Sequence, residues 1–161
     1  MTVATPNGLF SSNYTIRDAT GPVASIEMAK LSYKGTVQVS GVPYPFRQTD
    51  AFAKRFVLSF EGVEIGWAER TSVWTSTIEV AVSTGISQDV RALRLAPLGA
   101  FSTGYHVAWG GEGSWTRIGQ IRRKSAFSRD LEIDLPDEVP VALQGFLTAL
   151  LLIDIRRRQS G

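Results

Sequence analysis

The 161-residue chain is 43% apolar and 20% charged, a globular balance that is long enough to bury a sizeable core in one domain and too apolar for a disordered segment. Seventeen basic against fifteen acidic residues leave a net charge of +2, so bulk charge offers no footprint for nucleic acid and none is expected as a partner. The absence of cysteine removes disulfides, thiol catalysis, thiolate metal sites and S-acylation together.

The first ten residues, MTVATPNGLF, lack a basic stretch followed by an apolar one. No secretory signal is therefore expected, and a cytoplasmic location follows. From Asn13 to Leu135 apolar residues recur at every second position, the period of strands with one buried face. Tyr14 and Ile16 alternate with Thr15 and Arg17, and the turn residues DATGP (18–22) lead into a return strand, VASIEMAKL. Val37 and Val39 share one parity and Val42, Tyr44 and Phe46 the other, which predicts a turn or bulge at Ser40-Gly41. The prolines flanking Tyr44 predict a strand start or an edge, because proline cannot donate to a ladder.

Phe56, Leu58 and Phe60 continue the pattern, and EGVE (61–64) reads as a tight turn into Ile65 and Trp67. Ile78, Val80 and Val82 follow, then Leu93 and Leu95, then Tyr105, Val107 and Trp109. GGEG (110–113) reads as a hairpin tip before SWTRIGQIRRK (114–124). In the last strand, RDLEIDLP (129–136), Leu131, Ile133 and Leu135 oppose Asp130, Glu132 and Asp134. Roughly ten short strands, with no helical periodicity before residue 136, predict a sandwich or a barrel.

A helix is expected over about 137–157, with strands over about 8–135, in a single domain spanning 1–161. Asp137 or Glu138 suits its N-terminus, Pro140 its first turn, and Arg156, Arg157 and Arg158 the dipole at its C-terminus. Between Val141 and Ile153 the thirteen residues are apolar around nearly the whole helix. A membrane span takes about 20 apolar residues, and a run of about 10–14 indicates a buried helix, so no transmembrane span is expected. Val141, Leu143, Phe146, Leu147, Leu150, Leu151 and Ile153 are the expected core of this helix. Gln144 and Thr148 then need partners in the interior, and Gly145 marks a close approach to a strand. Half-apolar strands followed by an all-apolar helix suggest a sheet curled around that helix. Barrels of about eight strands fill with their own side chains, so a helix about 10 Å across requires more.

Catalytic signals are thin. His106 alternates with Tyr105 and Val107 and should face outward; no nucleophile elbow, phosphate-cradling loop or dinucleotide fingerprint occurs. Glu61 and Glu64 flank a turn and read as solvated charges. The chain is therefore expected not to be an enzyme, with no catalytic residues and no cofactor. Asp154 is expected to pair with Arg157 or Arg158 at helical spacing. Two basic clusters, Arg122-Arg123-Lys124 and Arg156-Arg157-Arg158, have the chemistry to hold phosphates. The plainer reading sets the first against DLEID across a hairpin and the second against the helix dipole.

The stretch FSRDLEIDLPDEVPVALQGFLTALLLIDIRRR (127–158) resembles the end of the tubby-like superfamily, which includes the tubby C-terminal domain, the phospholipid scramblases and the LURP-one-related proteins. The shared pattern is a glycine-isoleucine-basic strand (IGQIRRK), an alternating strand ending in proline, and an apolar helix closing on LLID; YTIRDATGPVASI resembles the first hairpin of scramblase-like and LURP-one-like members. The resemblance implies a closed antiparallel barrel of about 10–12 strands around a central hydrophobic C-terminal helix. It implies a non-catalytic domain that binds anionic phospholipid or phosphoinositide head groups at a membrane surface, or a protein partner. A scramblase-like insertion of the C-terminal helix is the alternative it carries, and an enzyme of unrecognised type is the second. The proline-rich N-terminal region and acylated cysteine cluster of scramblases are missing. Their proposed calcium segment maps onto Asp130, Glu132 and Asp134, which alternate along one strand face about 7 Å apart, too far for one ion without further donors.

Overall fold

The computed structural model describes residues 1–50, 54–71, 77–83, 92–99, 103–111 and 113–160. Twelve strands follow one another as a meander: β1 (Thr2–Pro6), β2 (Tyr14–Asp18), β3 (Gly21–Met28), β4 (Lys34–Val39), β5 (Val42–Gln48), β6 (Arg55–Phe60), β7 (Val63–Arg70), β8 (Ile78–Val82), β9 (Ala92–Pro97), β10 (Gly104–Gly111), β11 (Ser114–Arg123) and β12 (Leu131–Asp134). Each pairs antiparallel with its sequence neighbours, and β1 also pairs with β12, setting Ala4 opposite Leu131. The sheet thereby closes into a barrel in which every strand has a neighbour on both sides.

The helix α1 (Val141–Ser160) fills it. Thirteen consecutive residues, Ala142 to Asp154, are buried, more than three turns covered on every side. A helix docked on one face would keep a solvated stripe, so this burial requires enclosure. It packs on β3, β4 and β12, while Phe146 meets Phe46 of β5 with ring centroids 6.3 Å apart. Gly145 is the point of closest approach: a Cβ built there would lie 2.5 Å from Cγ1 of Val37 on β4. Gln144 donates from Nε2 to the Val139 carbonyl at 2.9 Å, and the Thr148 hydroxyl donates to the Gln144 carbonyl at 2.8 Å. Both interior polar groups are thus satisfied within or just before the helix.

The turns follow their residues. Ser40 and Gly41 adopt φ of 52° and 80°, and Glu61 and Gly62 adopt 49° and 80°, giving two-residue hairpins whose twist suits the flanking strands. In the β2–β3 hairpin the Thr20 hydroxyl and amide donate to Asp18 Oδ1 at 2.6 and 2.7 Å, holding the Asp18 carboxyl below its usual range. The β5 strand bears Pro43 and Pro45, and it pairs with β6 only through Phe46–Gln48, so its proline-bearing half is locally an edge. Gly110 and Gly111 pair with Trp115 and Ser114; Glu112, at the tip of that hairpin, lies outside the described residues.

Three expectations need correction. The first strand begins at Thr2, well before residue 8, and it is the strand that completes closure. Trp67 faces outward, 38% exposed, and donates from Nε1 to Glu64 at 2.8 Å. The register shift between Leu58 and Ser59 leaves Ile65 as an extra residue on β7, so Ile65 and Ala68 point inward and Trp67 does not. The helix spans Val141–Ser160 instead of about 137–157. Residues 136–139 form a turn closed by the Val139 amide on the Pro136 carbonyl, and the Pro140 carbonyl accepts the first helical bond from the Gln144 amide at 2.9 Å. Proline at 140 disfavours helical geometry at Val139, which stops the helix from extending back to Asp137.

Candidate functional site

An antiparallel meander sends odd strands one way and even strands the other. The β1–β2, β3–β4 and β11–β12 loops therefore lie at one end of the barrel, adjacent to one another because β12 pairs with β1 and β2 with β3. The helix emerges at the same end: Nη1 of Arg156 donates to the carbonyls of Ala29 and Ser32 in the β3–β4 loop, at 2.8 and 3.2 Å. This end is the mouth.

A cleft of about 220 Å³ opens there between the helix tail and the β1–β2 and β11–β12 loops. Its floor is apolar, from Tyr14, Met28, Leu152 and Ile155, and its charged groups are Arg123, Arg129 and Arg156. Arg123 is the last residue of β11, and its buried Nε has no acceptor among the described residues. On its other side lies a second cleft of about 430 Å³, lined by Thr103, Gln120, Arg122 and Ser125 among others. Arg129 donates to three carbonyls of the β1–β2 loop, Gly8 at 3.1 Å, Leu9, and Ser11 at 2.6 Å. Its guanidinium also lies 5.9 Å from the Tyr14 ring centroid. Among the described residues, no carboxylate or histidine lines the 220 Å³ cleft. The charge of this cleft is thus carried by three guanidiniums, of which Arg129 and Arg156 also bond loop carbonyls.

The barrel therefore brings together one member of each basic cluster, Arg123 and Arg156, and adds Arg129. Sequence reasoning missed Arg129; the only signal for it was a basic residue in the turn before an alternating strand. The remaining members disperse. Arg122 is held by Glu132 across the β11–β12 ladder, Nη2 to Oε2 at 2.9 Å, as the pairing of RRK with DLEID anticipated. Lys124 is exposed at the start of the β11–β12 loop. Arg157 is half-buried and Arg158 exposed, both in the last helical turn.

Asp154 differs from expectation. It bonds Nη2 of Arg70 on β7 and the hydroxyl of Tyr105 on β10, not the arginines that follow it. The reason is enclosure: Asp154 is still inside the barrel, 6% exposed, whereas Arg158 has already left it. A carboxylate at that depth needs a desolvated partner, and the strands supply one.

Of the acidic triplet, Asp130 lies in the loop with its carbonyl accepting from the Lys124 amide, Glu132 holds Arg122, and Asp134 is exposed. No three acidic or histidine groups among the described residues stand close enough to share a metal ion. His106 sits half-buried on the outer face, paired in register with Gln120. Burial, with Arg117 adding repulsion, holds its imidazole below the ordinary value. Glu64 accepts from Trp67 and lies 3.8 Å from Arg47, and Glu61 occupies its turn in the open. Of the expected helix core, Leu143, Phe146, Leu147, Leu150, Leu151 and Ile153 are buried, and Val141 packs on the core partly exposed.

No protein-family model matches the chain, and neither the curated proteins nor the solved structures contain a significant match to it. What the geometry defines is a closed twelve-stranded antiparallel barrel around its own C-terminal helix, with a basic cleft at the mouth where that helix emerges.

Proposed function

We propose that this is a non-catalytic, tubby-like domain of the LURP-one-related and scramblase-like kind, which binds anionic phospholipid or phosphoinositide head groups from the cytoplasm. The observation that carries the reading is the convergence of Arg123, Arg129 and Arg156 on one cleft that has an apolar floor and, among the described residues, no carboxylate. Guanidinium forks suit phosphate oxygens, and the Arg123 side chain lines the cleft. The architecture agrees with the fold that the resemblance implies. Insertion of the helix into a bilayer is disfavoured, because its thirteen buried residues are the interior of the barrel. No helix among the described residues is long and apolar enough to cross a membrane.

Co-sedimentation with phosphatidylcholine vesicles, with and without phosphatidylserine or a phosphoinositide, tests this reading. Binding should require the anionic lipid and weaken as salt rises from about 0.05 to 0.2 M, since surface charge is screened over about 10 Å at 0.1 M. Arg123→Gln with Lys124→Gln should weaken it about thirtyfold, at about 1 kcal/mol for each of the two basic residues near the surface. Arg129 and Arg156 are poor first choices, because each also holds a loop backbone. Equal binding to neutral and anionic vesicles, or none at low salt, would overturn the proposal.

A further inference from the structure

The mouth carries more than charge. Leu9, Phe10, Leu31 and Phe127 are 85%, 95%, 101% and 100% exposed, the four most exposed large apolar residues described. They sit on the three adjacent mouth loops, Leu9 and Phe10 between β1 and β2, Leu31 between β3 and β4, and Phe127 between β11 and β12. Two of these loops are fixed from beneath by an arginine. Arg129 grips the carbonyls of Gly8, Leu9 and Ser11 around the first tip, and Arg156 grips those of Ala29 and Ser32 on either side of Leu31. The exposed tips thus share this end with the arginines that hold two of their loops.

The charge distribution gives the partner its sign. Segments 7–13, 29–34, 123–130 and 155–160 hold eight of the seventeen basic residues and one of the fifteen acidic ones, Asp130. They carry +7 in a chain of net +2, so the rest of the molecule carries −5. Turns at the opposite end are acidic, with Asp18, Glu61, Asp137 and Glu138. Apolar tips backed by arginine and lysine match the layering of a bilayer surface, hydrocarbon beyond a plane of anionic head groups.

We infer that the barrel docks end-on to an anionic membrane, inserting Leu9, Phe10, Leu31 and Phe127 below the head groups while Arg123, Lys124, Arg129 and the helix-tail arginines meet the phosphates. This rests on the head-group reading above and adds to it an orientation and an apolar contribution to affinity. The separation of the tips onto three loops favours a deformable lipid surface over a flat protein face.

The natural lack of cysteine makes the test direct. Phe10→Cys, Leu31→Cys and Phe127→Cys, each labelled with an environment-sensitive dye, should brighten and shift to the blue on phosphatidylserine-containing vesicles, and nitroxide on the acyl chains should quench them. Val63→Cys, 63% exposed at the opposite end, should report no change. Phe10→Ser with Leu31→Ser and Phe127→Ser should bind such vesicles more than tenfold more weakly, each apolar side chain withdrawn from water being worth roughly a tenfold factor. Its melting temperature should be unchanged. Vesicle binding that keeps its anionic requirement but ignores these substitutions, with silent dyes at the tips, would overturn the insertion and leave the head-group reading standing. Absence of anionic-vesicle binding in the unsubstituted protein would remove both. A concentration-dependent dimer in sedimentation, abolished by the triple substitution, would assign the face to a second copy of the chain and overturn the membrane inference.

Discussion

At the scale of single residues, the interior is decided by a few tight contacts. Gly145 lets α1 approach Val37, and any side chain there meets a stiff, fully buried β-branched neighbour. Alanine would gain about 1 kcal/mol of helix propensity over glycine, but overpacking costs about 1–3 kcal/mol. Gly145→Ala should therefore lower stability by about 1 kcal/mol in urea unfolding, and adding Val37→Ala should recover part of that loss; a stabilised single variant would show that helix and strand can separate there. Gly145 was legible in the sequence, since a glycine inside an apolar helical run has few other uses. The partner of Asp154 was not. Helical spacing offered Arg157 and Arg158, and only the depth of the helix inside the barrel turns Asp154 toward Arg70 and Tyr105. Leu9, Phe10, Leu31 and Phe127 escaped notice for a related reason: isolated apolar residues between turn residues carry no period, and their shared end of the barrel depends on closure.

At the scale of elements, alternation made eleven strands readable, and the thirteen-residue apolar run with its terminal arginines made the helix readable. The strand that alternation did not mark is β1, whose single fully buried side chain is Ala4. It forms because β2 and β12 present open edges to it on both sides, a tertiary cause with almost no local signature. Proline at 140 likewise outweighed the acidic residues before it in setting where the helix starts. The central element bears the most demanding stability prediction. Leu150 is 2% exposed in the middle of the buried run, so Leu150→Asp places an unpaired carboxylate in an apolar interior. Thermal and urea unfolding should show a loss of several kcal/mol, with Leu150→Met costing about 1 kcal/mol as a control. An unchanged melting temperature for Leu150→Asp would mean the helix is not enclosed.

At the scale of the whole molecule, closure brings sequence-distant residues to one cleft. Arg123 and Arg156 lie 33 positions apart and meet only because β11 ends, and α1 emerges, at the same mouth. The same closure gives the barrel a basic, apolar-tipped end and an acidic opposite end, an asymmetry that a net charge of +2 conceals. Such a molecule should approach an anionic surface in one orientation, since the field favours the mouth and opposes the far turns. Hydrogen–deuterium exchange on vesicles containing phosphatidylserine measures that orientation directly. End-on docking predicts added protection confined to residues 7–13, 29–33, 124–130 and 156–160, with the turns at 19–20, 40–41 and 61–62 exchanging as they do in solution. Protection at those far turns instead, or uniform exchange with lipid and without, would contradict it.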